Sequence, residues 1–211
     1  SDVAISKDML NEVIHEVVDD TFNMVSVDGD TSTNDMLTLM CNGLAQNNEI
    51  TQKDENYQCF KKALMYICTC LSQAIAKDGE GATKLLTCSV LHAKTKKDAK
   101  IVAKSVITSS LLKAAMFGED ANWGRILCAI GYSDADYDIQ KIDVDFKSTK
   151  GKICVCQNGG GYPFSEEEAA QILSEDEIEI IIDLHDGDDQ ATAWGCDLTY
   201  DYVKINGDYR T

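Results

Sequence analysis

Proline is nearly missing. Pro163 stands alone among 211 residues, so no proline-rich linker divides the chain and little interrupts its regular elements. No apolar run approaches the ~20 residues that a membrane-spanning helix needs. Basic residues are also scarce, with 19 Lys and Arg against 36 Asp and Glu and a formal net charge of −17. A surface that negative repels phosphate backbones and anionic headgroups, so neither nucleic acid nor membrane is expected as a partner. A cationic or zwitterionic small molecule remains compatible. None of the nine cysteines forms a Cys-x-x-Cys pair, and of His15, His92 and His185 only His92 has a cysteine close by in sequence, the single Cys88. Structural zinc, and metal in general, is therefore not expected; free thiols in a reduced cytoplasm are. No Gly-x-Ser-x-Gly elbow occurs, although a Ser-His-Asp or Cys-His arrangement stays open. Ser1 is not an initiator Met and no basic-apolar leader follows it, so the chain reads as a fragment or a processed product.

What is present suits one globular domain over residues 1–211, with an apolar share of 44%. Apolar positions at helical spacing predict helices over Lys7–Phe22, Met36–Leu44, Asn56–Ala76, Lys96–Phe117, Asn122–Tyr132 and Glu166–Leu173. Alternation predicts strands at Met24–Val27, Leu85–His92, Ile142–Phe146, Lys152–Cys156, Ile178–Leu184, Thr192–Leu198 and Val203–Ile205, and Ser1–Ile5 reads as the end of another. Helices come mainly first and strands mainly later, which argues an α+β fold with a mixed or antiparallel sheet system covered by helices.

The stretch Val27-Asp28-Gly29-Asp30-Thr31-Ser32-Thr33-Asn34-Asp35 is a bend crowded with side chains that tie down backbone N–H groups. Asp28, Asp30 and Ser32 have the spacing of a calcium loop, but Thr33 replaces its glycine and Leu39 its bidentate glutamate. Glu80 sits between Gly79 and Gly81, where a pliant backbone brings a carboxylate close to a ligand. On composition alone it reads as a solvated turn residue. Gly81-Ala82-Thr83-Lys84 lacks the order of a phosphate loop, and Gly159-Gly160-Gly161 lacks the helix-opening context of a dinucleotide site. Asp183, His185 and Asp186, with Asp188 and Asp189 behind them, have metal-ligating chemistry but read better as a solvated turn.

Thr21-Phe22-Asn23 with Val27–Asp35, then Asp78-Gly79-Glu80-Gly81-Ala82-Thr83-Lys84, Asn122-Trp123-Gly124-Arg125-Ile126-Leu127, and the terminal Asp201–Thr211 block resemble, in order, the signatures of the ornithine acetyltransferase family. These are the glutamate/ornithine N-acetyltransferases of arginine synthesis. The resemblance spans nearly the whole chain and implies its C-terminal (beta) chain, released when a precursor cuts itself. It implies a layered sandwich of sheets between helices, resembling N-terminal-nucleophile enzymes and completed by an alpha chain, with two of each chain in the assembly. The catalytic Thr would lie a few residues before Ser1, and a Thr-Gly pair on the partner chain would hold the oxyanion. Glu80, Asn206 and Thr211 match substrate-contacting positions, while Trp123 and Arg125 read as packing. The implied reaction moves acetyl from N-acetylornithine to glutamate through an acyl-threonine, without metal or cofactor. Acetyl-CoA is an alternative donor in the bifunctional kind. Two other readings stay open, an autoprocessed amidase or aminopeptidase on a related fold and a non-catalytic binding subunit.

Overall fold

The structure, a computed structural model, describes residues 1–209. The chain divides into two compact units. One comprises residues 1–23 and 30–72, the other 24–29 and 73 onward.

The first unit is built on helix α1 (Lys7–Val18) and most of α2 (Glu55–Lys77). Ser6 starts α1 by accepting the Met9 N–H, and Asp54 performs the same service for Tyr57. The apolar stripe of α1 buries Val13 and Val17 against Ile50, Tyr57 and Cys68. On the outer side, Glu16 of α1 pairs with Lys53 at 2.7 Å and with Lys61 of α2 at 2.6 Å.

The helix expected at Met36–Leu44 does not form. Met36, Met40 and Leu44 are spaced four apart, but they are 85%, 76% and 74% exposed and face no core among the described residues. Their segment bonds sideways to the start of the chain. Ser1 donates to Met40 O at 2.8 Å, Asn42 N–H to Ser1 O, and Ala45 N–H to Asp2 O. Nor does Ser1–Ile5 end a strand; it contributes one bridge, Ile5 to Ile50.

The second unit is a seven-stranded sheet. Its strands are β1 (Val25–Ser26), β2 (Leu85–Ala93), β3 (Asp143–Ser148), β4 (Gly151–Gln157), β5 (Gly160–Gly161), β6 (Glu177–Asp183) and β7 (Asp189–Cys196). Their order is β1-β7-β2-β6-β3-β4-β5. The pairs β1–β7 and β2–β6 are parallel and the remaining pairs antiparallel, so the sheet is mixed, as an α+β chain requires. Alternation decides the faces: Ile178, Ile180 and Ile182 of β6 are buried, while Glu177 is exposed and Glu179 half-buried on the other side. Beside them in the same sheet lie Leu86 and Val90 of β2 and Phe146 of β3, and helix α3 (Lys96–Thr108) adds Val102, Val106 and Ile107 to this core. Each such fully buried side chain contributes about 1.5–3 kcal/mol.

Helices α4 (Ser110–Phe117), α5 (Trp123–Gly131) and α6 (Glu166–Leu173) supply further core residues. The single helix expected over Lys96–Phe117 is cut at Ser109. That residue takes an extended backbone (ψ 110°) and its hydroxyl accepts the Leu112 N–H, so it ends α3 and caps α4. The last helix, α7 (Tyr200–Asp208), contains Val203–Ile205, expected as a strand. Thr199 decides this: its hydroxyl accepts the Tyr202 N–H at 3.2 Å and starts a helix. With Val203 and Ile205 64% and 45% exposed, no strand pairing offers them burial.

Candidate functional site

Three pieces of the second unit meet around Glu80: the exit of β1, the loop between α2 and β2, and the passage from β7 into α7. The loop is held by the glycines that flank the carboxylate. A Cβ on Gly79 would lie 2.8 Å from Cys196 Sγ and 3.1 Å from Val27 Cγ1. Gly81 has φ +67°, and a Cβ there would lie 2.7 Å from the Tyr202 nitrogen. The glycines thus serve close packing of the loop on β7 and α7, and the carboxylate is aimed as a result.

Asp197 locks the far side of the loop. One carboxylate oxygen accepts the Thr83 N–H at 2.8 Å and the Lys84 N–H at 3.0 Å, and the other accepts the Thr83 hydroxyl. Asp197 is 3% exposed, so these donors compensate a charge removed from water. Thr199 adds a second tie by donating to Gly81 O at 2.7 Å while it caps α7. Beneath, buried Lys113 donates from Nζ to Cys196 O and lies 3.5 Å from Cys196 Sγ. Burial pushes the Lys113 ammonium below the ordinary lysine range and pushes the Cys196 thiol up.

On this base Glu80 and Asn206 come together. Asn206 Nδ2 donates to Glu80 Oε2 at 2.7 Å and to Tyr202 O at 3.1 Å. Tyr202 in turn donates from its hydroxyl to Asp28 Oδ2 at 3.1 Å. Glu80, Asn206 and Asp28 are all exposed, so a carboxylate, an amide and a second carboxylate line one solvent-facing rim. Such a rim can hold an ammonium or the polar end of an amino acid. Thr211, the third expected contact, lies outside the described residues.

The other marked residues are elsewhere. Asn122 caps α5 by accepting the Arg125 N–H at 3.1 Å, and Arg125 Nη1 donates to Leu111 O at 2.6 Å. Trp123 is pressed on Gly161, where a Cβ would lie 2.6 Å from its ring. These residues pack, as their types suggest. Ser32 closes the turn after Asp30 by accepting the N–H groups of Asn34 and Asp35, a hydroxyl-capped turn that no helix follows. Asp183 and His185 gather at the opposite end of β2. Sequence reasoning missed Asp197, Thr199 and Tyr202. An Asp and a Thr two residues apart, directly after a strand, were the available signal for a loop clamp and a helix cap.

The model of the ArgJ family matches residues 1–211. The chain belongs to the ArgJ family. It is 54% identical over 211 residues to the arginine biosynthesis bifunctional protein ArgJ 1 of Clostridium acetobutylicum and 51% identical to ArgJ of Caldanaerobacter subterraneus subsp. tengcongensis. Each alignment covers all of this chain and 52% of the relative, so the chain spans about half the length of the curated relatives it matches. The crystal structure of ArgJ from Bacillus halodurans superposes with a TM-score of 0.93 at 44% identity, covering 99% of this chain and 96% of that one. The family resemblance and the mixed α+β architecture therefore stand. Among the described residues no helix is long and apolar enough to cross a membrane.

Proposed function

We propose that this chain is the beta half of a glutamate N-acetyltransferase that moves acetyl from N-acetylornithine to glutamate in arginine biosynthesis, in the cytoplasm. The observation that carries the proposal is the Glu80–Asn206 rim. Two residues from sequence blocks far apart meet at 2.7 Å, on a loop whose glycines and Asp197 clamp admit little else. Membership of a family whose relatives are named bifunctional arginine biosynthesis proteins supports it. So does a solved relative chain of nearly the same extent as this one.

In the proposed reaction, a threonine at the start of the processed chain attacks the acetyl carbonyl with its hydroxyl. Its freed α-amine takes the proton. Donors on a companion alpha chain stabilise the oxyanion, ornithine departs with a proton on its amine, and the acetyl group remains as a threonine ester. Glutamate enters, its amine attacks the ester, and N-acetylglutamate leaves with the hydroxyl restored. Glu80 attracts the substrate ammonium, and Asn206 orients Glu80 while offering its own amide to the ligand. Thr211 would contribute from the chain end. No resident metal or cofactor is called for, and acetyl-CoA would enter as an alternative donor. Two alpha and two beta chains complete the assembly.

Glu80→Ala in the assembled enzyme tests this reading. Losing one charge-assisted hydrogen bond to substrate lowers kcat/KM about 10–100-fold, or about 1.5–3 kcal/mol, while assembly survives. Near-normal kinetics would remove Glu80 from the site.

A further inference from the structure

At the end of β2 remote from Glu80, the ends of three paired strands bring two histidines and two aspartates together. His92 is the penultimate residue of β2, Asp183 ends β6, His185 follows it, and Asp143 opens β3. His92 Nδ1 lies 2.9 and 2.8 Å from the two oxygens of Asp183. His185 Nδ1 lies 3.3 Å from Asp183 Oδ1, and its other nitrogen, Nε2, lies 2.9 Å from Asp143 Oδ2. The two imidazoles are stacked, with centroids 6.2 Å apart and planes 13° from parallel. One ligand atom from each of His92, Asp183 and His185 falls within 4.8 Å of the other two.

We infer that His92, Asp183 and His185 form a binding site for a divalent transition-metal ion, with zinc as the reference ion and Asp143 orienting His185 from behind. When Nε2–H of His185 is donated to Asp143, Nδ1 offers its lone pair toward Asp183 Oδ1, 3.3 Å away, and an ion between the two atoms satisfies both. Zinc bonds of about 2.0–2.1 Å place neighbouring ligand atoms about 3.3 Å apart. The carboxylate–imidazole pair behind the ligand is the arrangement that fixes tautomer and ring direction in metal sites. Imidazole donors favour zinc and its neighbours over calcium or magnesium.

The frame is built rather than floppy. Leu184 N–H donates to Leu91 O at 3.1 Å and Asp186 N–H to His92 O at 2.8 Å. A Cβ on Gly187 would sit 2.2 Å from Ala93 O, so only glycine permits that approach. His92 and His185 both take left-handed backbone, at φ 52° and 47°. Asp186, the ligand that spacing alone suggests, is otherwise engaged: Lys141 at 2.8 Å and Lys94 at 3.3 Å hold its carboxylate below the usual range. The histidine side chains are 54% and 47% exposed, which gives an ion a way in.

Zinc titration of the chelator-treated, assembled protein tests the site, with His92→Asn/His185→Asn as comparison. Asparagine tolerates left-handed backbone, so the double variant keeps its fold, checked by an unchanged Tm in chelator. Expected are one saturable zinc per chain, at least 30-fold weaker binding in the double variant, and a zinc-dependent rise in Tm confined to the parent protein. Asp143→Asn weakens binding about 10–100-fold, and cobalt gives a spectrum without thiolate charge transfer. Binding unaltered in the double variant would assign the metal to the cysteines and overturn the inference. So would the absence of saturable binding, which would leave protons alone as the cations of the cluster.

Discussion

Asp197 does more for the Glu80 rim than either of the residues that meet there. Two backbone N–H groups and a hydroxyl end on its carboxylate, all in a place nearly closed to water. Asp197→Ala leaves those donors unsatisfied and should cost about 2–3 kcal/mol, read as a lower denaturation midpoint, together with a loss of transfer activity. A variant with normal stability would mean that the loop is fixed from elsewhere. The contrast between Glu80 and Asp197 also shows what a linear chain discloses about individual residues. Glu80 is marked by its flanking glycines and its motif. Asp197 becomes visible only when β7 is laid beside the start of β2, since its partners are over a hundred positions away. His92 is similar, a strand residue without nearby carboxylates in sequence that acquires the Asp183 carboxylate and a second imidazole by pairing.

Among the elements, those with strong local signals formed where expected. Helix α6 keeps its bounds at Glu166–Leu173, because Ser165 caps it by accepting the Glu168 N–H and three glutamates complement its N-terminal dipole. The failures share a cause: periodicity without a surface to bury against. Met36–Leu44 has the spacing of a helix and Val203–Ile205 that of a strand, yet their apolar residues are largely exposed and backbone bonding went elsewhere. The break at Ser109 was written only in a capping residue inside an otherwise continuous stripe. Where α1 meets α2, a pH-sensitive tie follows from Glu16. Hydrogen bonds from Lys53 and Lys61 lower its carboxyl from 4.5 to about 2. A lowered carboxylate pKa contributes stability that is complete above pH 4.5 and lost as pH falls through about 2. Glu16→Gln should therefore unfold at lower urea than the parent near neutral pH, and the gap should close by pH 2. A gap independent of pH would assign the effect to packing.

For the molecule as a whole, the acidic balance and the mixed class were legible, and four sequence blocks carried the family. The division into two units was not, because the second unit takes residues 24–29 from the midst of the first, and no composition change marks that crossing. Intact mass and N-terminal sequencing of the natively produced protein should show a companion chain and a second chain that begins with threonine a few residues before Ser1. A single uncut polypeptide would count against the acyl-threonine route and leave the non-catalytic reading in force.

Strand β1 imposes an order of events on the polypeptide. Its two residues pair with Trp194 and Gly195, so an early segment must wait for the last of the seven described strands before its hydrogen bonds can close. At ribosomal speeds of about 5–20 residues per second, that wait lasts on the order of ten seconds or more. The segment carrying Asp28 spends it without its β7 neighbour, and its place beside Tyr202 is settled only after Tyr202 itself has been made. Contacts spanning so much chain are slow to form. The rim around Glu80 is accordingly one of the last features of the chain to be completed.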